Sequence, residues 1–212
     1  MIIFTAGYPS SGKTEFATLL AQQLSSHKVV HIDPAKLRLP EYDSFTPDGQ
    51  TQARIAAWEV AQDILNESLK EPNSTIIIFD TCAAKAKSMM PHFANAKVNK
   101  HDVVYTFIAA SISECKKRAG TKWPSNEVIN NYGKEFVESV PKLREASSKF
   151  FFVKNNDDPN RLSLKDAINK IAKAISNGEI SGIRKPKPIR SSINRPRQKD
   201  NKRTKVQPHR PV

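Results

Sequence analysis

The chain is poor in cysteine: Cys82 and Cys115 are its only thiols in 212 residues. Two isolated cysteines cannot form the disulfide framework of a small secreted domain, and they are too few for a structural zinc site. A reducing, cytoplasmic setting is therefore expected. No apolar run approaches the ~20 residues that a bilayer-spanning helix needs, and the first residues lack the basic and apolar regions of a secretory leader. Residues 181–212 contain no Leu, Phe, Tyr or Trp but five prolines. Such a segment has too little apolar surface to offset its ordering entropy. We expect a folded domain over residues 1–178 and a disordered basic tail over 179–212.

Charge follows the same division. Of the net +13, residues 181–212 hold eleven Lys/Arg against Asp200 alone, or +10. That leaves 23 cations against 20 acids, or +3, for residues 1–180. Cations spaced among prolines make a poor amphipathic membrane helix. They make a flexible polycation that binds phosphate backbones by counterion release. The expected partner is a nucleic acid, RNA or DNA, engaged through residues 181–212, with no membrane partner; a solubilising or protein-docking tail is the alternative. Oligomeric state is open.

Apolar and β-branched runs at 2–5, 29–32, 74–81, 103–109 and 149–153 predict five strands. Helical spacing is present from Lys13, from Thr51, over 112–119 and 126–139, and from Leu164 to Ile175. Residues 38–50 are rich in Pro and Asp and predict a loop. This alternation predicts an α/β fold with a parallel sheet covered by helices on both faces.

Between the first strand and the first helix stands Gly7-Tyr8-Pro9-Ser10-Ser11-Gly12-Lys13-Thr14, which fits G-x-x-x-x-G-K-[ST] at every defined position. The two glycines allow consecutive N–H groups to turn inward as an anion cradle, and the following helix adds its positive end. Lys13 can reach the β- and γ-phosphates, and the Thr14 hydroxyl can ligate Mg²⁺. Tyr8 and Pro9 read as shape-setting residues of the loop.

A parallel sheet presents its ligands at the carboxyl ends of its strands. Asp80, closing "IIIFD", then converges on the phosphate loop and can hold Mg²⁺ through water; its alternative role is to cap the next helix. Asp33 closes the second strand and can act as general base towards a hydroxyl, although Asp-Pro is also an ordinary turn start. Arg118, in "CKKRAGTKW", can stabilise transferring phosphoryl oxygens from a closing lid, or belong to a solvated face. Arg54 can hold an acceptor phosphate or point outward. Trp58 and Trp123 read as packing residues, and Trp123 alternatively as a base-stacking one.

In order and spacing, "GYPSSGKT", "HIDPAKLR", "IIIFDT" and "SECKKRAGTKWPSNEVINNYGKEFVESVPKLRE" resemble the P-loop kinases of the bacteriophage polynucleotide kinase, seryl-tRNA kinase and Kti12 group. The likeness covers about residues 1–155. It implies a nucleoside-kinase-type fold with a five-stranded parallel sheet and a small helical lid at about 112–140. It implies an ATP- and Mg²⁺-dependent phosphotransferase acting on a hydroxyl, here at a nucleic-acid end. Lys13, Asp33 and Arg118 would be catalytic, residues 7–14 would bind nucleotide, and Thr14 and Asp80 would serve the metal. The pattern departs at Pro34 and at Lys36, which stands where the polynucleotide kinases place an arginine. A Kti12-like nucleotide switch and a small-molecule or nucleotide kinase are the alternatives.

Overall fold

β-branched and aromatic residues form five strands in a computed structural model, which describes residues 1–37, 47–71, 74–156 and 164–180. They are β1 (Ile2–Ala6), β2 (Val29–Ile32), β3 (Ile76–Phe79), β4 (Val103–Ala109) and β5 (Lys149–Lys154). All pair in parallel, in the order β2-β3-β1-β4-β5. The intervening helices are α1 (Lys13–Gln23), α2 (Pro47–Leu69), α3 (Ala86–Val98), α4 (Ile112–Ala119) and α5 (Asn126–Ala146), with α6 (Leu164–Ser176) last.

Strand residues alternate between two cores, as the pleat requires. Ile2, Phe4, Ile32, Ile77, Phe79, Val103 and Tyr105 pack beneath α2, α3 and α5. Ile3, Ile76, Ile78, Val104 and Ile108 pack beneath α1 and α6. The first core is aromatic at its centre. The Phe93 ring lies 4.8 Å from Phe4 and 6.1 Å from Tyr105, and Trp58 meets Phe79 edge-on at 5.5 Å.

The five expected strands are present, and the helices differ in extent. The sequence reading places no helix between β3 and β4. Yet α3 runs through that stretch, with Ala86, Met89, Phe93 and Ala96 at helical spacing in the core. Pro91 faces outward, so the loss of one backbone hydrogen bond is offset by burial of the opposite face. Likewise α5 continues past Pro141 to Ala146, held by the buried Leu143. α2 begins at Pro47, a favoured first helical residue, inside the stretch read as a loop. At the far end, Ile180 is 4% exposed and packs with α1 and α6, just past residue 178. Residues 38–46 of the expected loop and the tail from 181 lie outside the described residues. Among the described residues no helix is long and apolar enough to cross a membrane.

His92 of α3 contacts Trp58 and Phe79, and burial lowers its pKa below the ordinary 6.5. With the folded pKa below the unfolded one, the unfolded chain takes up the proton first, so stability is full above pH ~6.5 and falls as pH drops towards the folded value. The urea midpoint should therefore fall between pH 7.5 and pH 5.5. His92→Phe should remove part of that fall without changing the slope of the transition.

Candidate functional site

The carboxyl ends of the strands gather the expected site on one edge of the sheet. β1 runs into the loop from Gly7 to Thr14, and α1 begins at Lys13. Gly7 has φ +141° and Gly12 φ +95°, in the region that favours glycine. Space is as restrictive as angle. A Cβ at Gly7 would stand 2.3 Å from the Ile108 carbonyl, and one at Gly12 would stand 2.2 Å from Asn155 Nδ2. That close approach has a purpose, because Asn155 Nδ2 donates to the Ser11 carbonyl at 2.8 Å and straps the loop to the end of β5. The Gly7 N–H donates to the Cys82 carbonyl, and Lys13 Nζ donates to the Tyr8 carbonyl at 2.7 Å. The Tyr8 ring meets Phe136 edge-on, with its hydroxyl over Gly133 of α5. Pro9 and Ser10 form the outer rim, while Ser11 is buried.

Asp80 lies one strand away and is 5% exposed. Its Oδ1 accepts from the Thr5 hydroxyl at 3.1 Å. Its Oδ2 is buried without a hydrogen-bond partner, 3.9 Å from His31 Nε2, which is likewise unpartnered. Burial pushes the Asp80 carboxyl upward, but His31, the Thr14 and Thr5 hydroxyls and the Lys13 ammonium outweigh it and hold the group ionised below the ordinary carboxylate range. An ionised oxygen with an unfilled acceptor position, beside Thr14 at a helix start, suits a divalent cation. Among the described residues no three His, Cys, Asp or Glu cluster to hold a metal by themselves. The ion expected here would take the rest of its shell from phosphate and water.

Asp33 closes β2 and is 8% exposed. Its Oδ1 accepts from the Ala35 N–H at 3.0 Å across Pro34, and its Oδ2 is 3.7 Å from Lys36 Nζ. So the turn reading of Asp-Pro is realised, with Oδ2 held by a cation. β3 separates β2 from β1, which sets Asp33 about 10 Å across the sheet from the phosphate loop. Arg118, on the last turn of α4, donates from Nε to Glu114 Oε1 at 3.0 Å. Burial raises the pKa of the Cys115 thiol on the same helix, and the charges of Arg118 and Lys13 offset part of that rise.

Arg54 lines a cavity of about 470 Å³ with Thr51, Ile55, Trp58, Glu59 and Gln62 on α2. Burial and the neighbouring Cys82 push the Tyr132 phenol of α5 up to about 12, partly offset by the charge of Arg54. The Trp58 packing role is seen in its contacts with Phe79 and His92. Trp123 is half-buried, with Nε1 lacking a hydrogen-bond partner. Thr5, His31, Asn155 and Tyr132 escaped sequence reasoning. Thr5 and His31 carried a usable signal, as polar residues near the carboxyl ends of otherwise apolar strands. Asn155 carried a similar one, directly after β5.

Residues 2–138 match the family model described as AAA domain. No curated protein matches the chain by sequence. Among solved structures it resembles Kti12 of Chaetomium thermophilum, determined with ADP-AlF3, at 14% identity and a TM-score of 0.52, covering 84% of this chain and 98% of that one. Shikimate kinase of Acinetobacter baumannii, in complex with shikimate, gives 16% identity and a TM-score of 0.53, over 84% and 94%. The PezAT toxin-antitoxin structure from Streptococcus pneumoniae gives 12% and 0.59, over 86% and 87%. At such identities the likeness is one of fold, and the fold is that of the P-loop kinases.

The Asn155 strap makes a direct prediction. Asn155→Ala removes one part-buried hydrogen bond, about 1 kcal/mol, and should weaken nucleotide binding roughly fivefold by loosening the loop. Calorimetric titration with ADP would measure this loss.

Proposed function

The chain belongs to the AAA domain family, and from that membership and the site geometry we propose that it is an ATP-dependent phosphotransferase acting on a hydroxyl at a nucleic-acid end. The observation that carries this reading is the placing of Asp33, a buried carboxylate on the same edge as the phosphate loop, about two strand spacings from it. A water-activating NTPase needs nothing there, whereas a kinase needs a base on the far side of the acceptor. The loop N–H groups and Lys13 hold the triphosphate. Thr14 and Asp80 would hold Mg²⁺, which when bound neutralises charge on the β- and γ-phosphates.

The acceptor then enters between α2 and α5. Asp33 takes the hydroxyl proton, and the oxygen forms its bond to the γ-phosphorus. The bond to the β,γ-bridging oxygen breaks, and ADP leaves with that electron pair. Arg118 supplies positive charge to the transferring group. Arg54 and Trp58, a cation beside an indole in one cavity, suit a phosphate and a base of the acceptor strand. The eleven cations of residues 181–212 support the same substrate class.

A second reading rests on the Asp33 contacts themselves. A carboxylate engaged by Ala35 and Lys36 serves a turn, and the protein would then be a nucleotide-driven switch on nucleic acid, as in the Kti12-like alternative.

Incubation with γ-labelled ATP and 5′-hydroxyl RNA and DNA oligonucleotides, tRNA and nucleosides tests the first reading. Label should pass to an oligonucleotide, and Asp33→Asn should lower transfer at least a hundredfold while leaving ATP affinity intact. Absence of transfer to every acceptor, from protein that binds ATP, would exclude the nucleic-acid kinase. Arg54→Gln should raise KM for the oligonucleotide and not for ATP. Oligonucleotide affinity should fall steeply between 50 and 200 mM salt, with a log–log slope of about −0.7 per phosphate contacted.

A further inference from the structure

Polar residues form a row across the α1 face of an otherwise apolar sheet. Thr106 of β4 pairs in register with Thr5 of β1, Thr5 bonds Asp80 at the end of β3, and His31 of β2 follows. By strand alternation His31 belongs to this face, since Val29 packs towards α1 and α6 while Val30 and Ile32 pack on the other side. Its side chain is 18% exposed and that of Asp80 is 3% exposed. Two buried polar atoms, His31 Nε2 and Asp80 Oδ2, therefore face each other without hydrogen-bond partners.

Their separation of 3.9 Å is too long for a direct hydrogen bond and close enough for a shared one. A water about 2.8 Å from both atoms would see them at an angle of about 90°. That is near the angle between the two hydrogens of a water molecule. With the ring proton on Nδ1, the His31 imidazole presents Nε2 as an acceptor alongside the Asp80 oxygen, and the two together suit a water that donates both of its hydrogens. Such a water has its lone pairs turned away from the protein, towards a cation. Thr14, whose hydroxyl also acts on Asp80, stands at the start of α1 on the same side.

We propose that His31 and Asp80 jointly accept the two hydrogens of one water in the shell of the nucleotide-bound divalent cation, which makes His31 a positioning residue of the metal–nucleotide site. The inference rests on the nucleotide-site reading above and adds a residue to it. His31 touches neither phosphate nor metal. It orients a water that does, in the way outer-shell partners orient the ligands of other metal sites. An apolar residue at 31 leaves one water hydrogen unpaired in a buried site.

The test uses the full chain and a non-hydrolysable ATP analogue, titrated calorimetrically in EDTA, in Mg²⁺ and in Mn²⁺, with Mn²⁺ occupancy also read by electron paramagnetic resonance. His31→Phe should weaken cation binding to the nucleotide complex by about tenfold or more and leave affinity in EDTA unchanged. His31→Val provides a smaller apolar variant should the phenyl ring prevent folding. His31→Gln, which retains an acceptor on a similar reach, should recover most of the loss. In a double-mutant cycle, His31→Phe should cost little on top of Asp80→Asn. Wild-type cation dependence in the apolar variants overturns the proposal. So does equal loss in EDTA, or a loss of thermal stability in EDTA with the cation term intact, which would indicate a direct His31–Asp80 bond. A wild-type protein whose nucleotide affinity ignores the cation would instead overturn the metal–nucleotide reading itself.

Discussion

The ionised Asp80 carboxylate, buried at the end of a hydrophobic strand, is the constraint to which the rest of the site answers. Removing such a charge from water costs several kcal/mol unless donors and opposite charges replace the solvent. The sheet provides them from three sides. Thr5, one strand over, donates to Oδ1 and accepts from the Thr81 N–H. Thr14 and Lys13 arrive on the first turn of α1, whose position is set by the glycine loop, and His31 stands 3.9 Å away on the outer strand, within reach of a shared water. Each is in place only because β1, β2 and β3 are parallel and in register. A slip of one residue in β1 would turn Thr5 to the aromatic face and leave the carboxylate without its donor.

The sheet thereby separates two tasks. On the α2, α3 and α5 side, Phe4, Phe79, Phe93 and Tyr105 build a tightly packed aromatic core. On the α1 side the hydrophobic contacts give way, towards the carboxyl end, to the row of Thr106, Thr5, Asp80 and His31. The bulk of the aromatic packing thus lies opposite the buried charge, and the phosphate loop is anchored from both flanks. Cys82 receives its Gly7 N–H, and Asn155 holds its Ser11 carbonyl.

Much of this was legible in the sequence, for local reasons. The five strands are short β-branched or aromatic runs between turn residues, and the phosphate loop is a contiguous pattern whose glycines have a steric reason to be glycine. Asp80 and Asp33 were legible as strand-final acids once the strands were placed. What escaped depends on contacts made only in three dimensions. α3 carries Pro91 in its interior, and its apolar face of Met89, Phe93 and Ala96 gains its meaning only against the sheet. Asn155 acts on Ser11, 144 residues away. Nothing near either residue announces that contact, beyond the general expectation that loops after parallel strands meet.

Asp33 shows where pattern reading stops and geometry takes over. From sequence, the base and the turn starter are rival roles for one side chain. In the structure the turn claims Oδ1, through Ala35, while Oδ2 faces Lys36 alone. One oxygen thus serves the turn, and the other is the one that the proposed base role would use. Pro34 makes the first role firm, since it restricts the backbone and fixes where the carboxylate points. A carboxylate held in this way is oriented before any acceptor arrives, with the Lys36 ammonium 3.7 Å from its second oxygen. The departure from the polynucleotide-kinase pattern at residues 34 and 36 thus reads as a different means of holding a carboxylate still. Where the polynucleotide kinases place an arginine, this chain has Lys36 beside a turn that fixes the carboxylate, and under the proposed reading the acceptor would be met on α2, where Arg54 and Trp58 share a cavity.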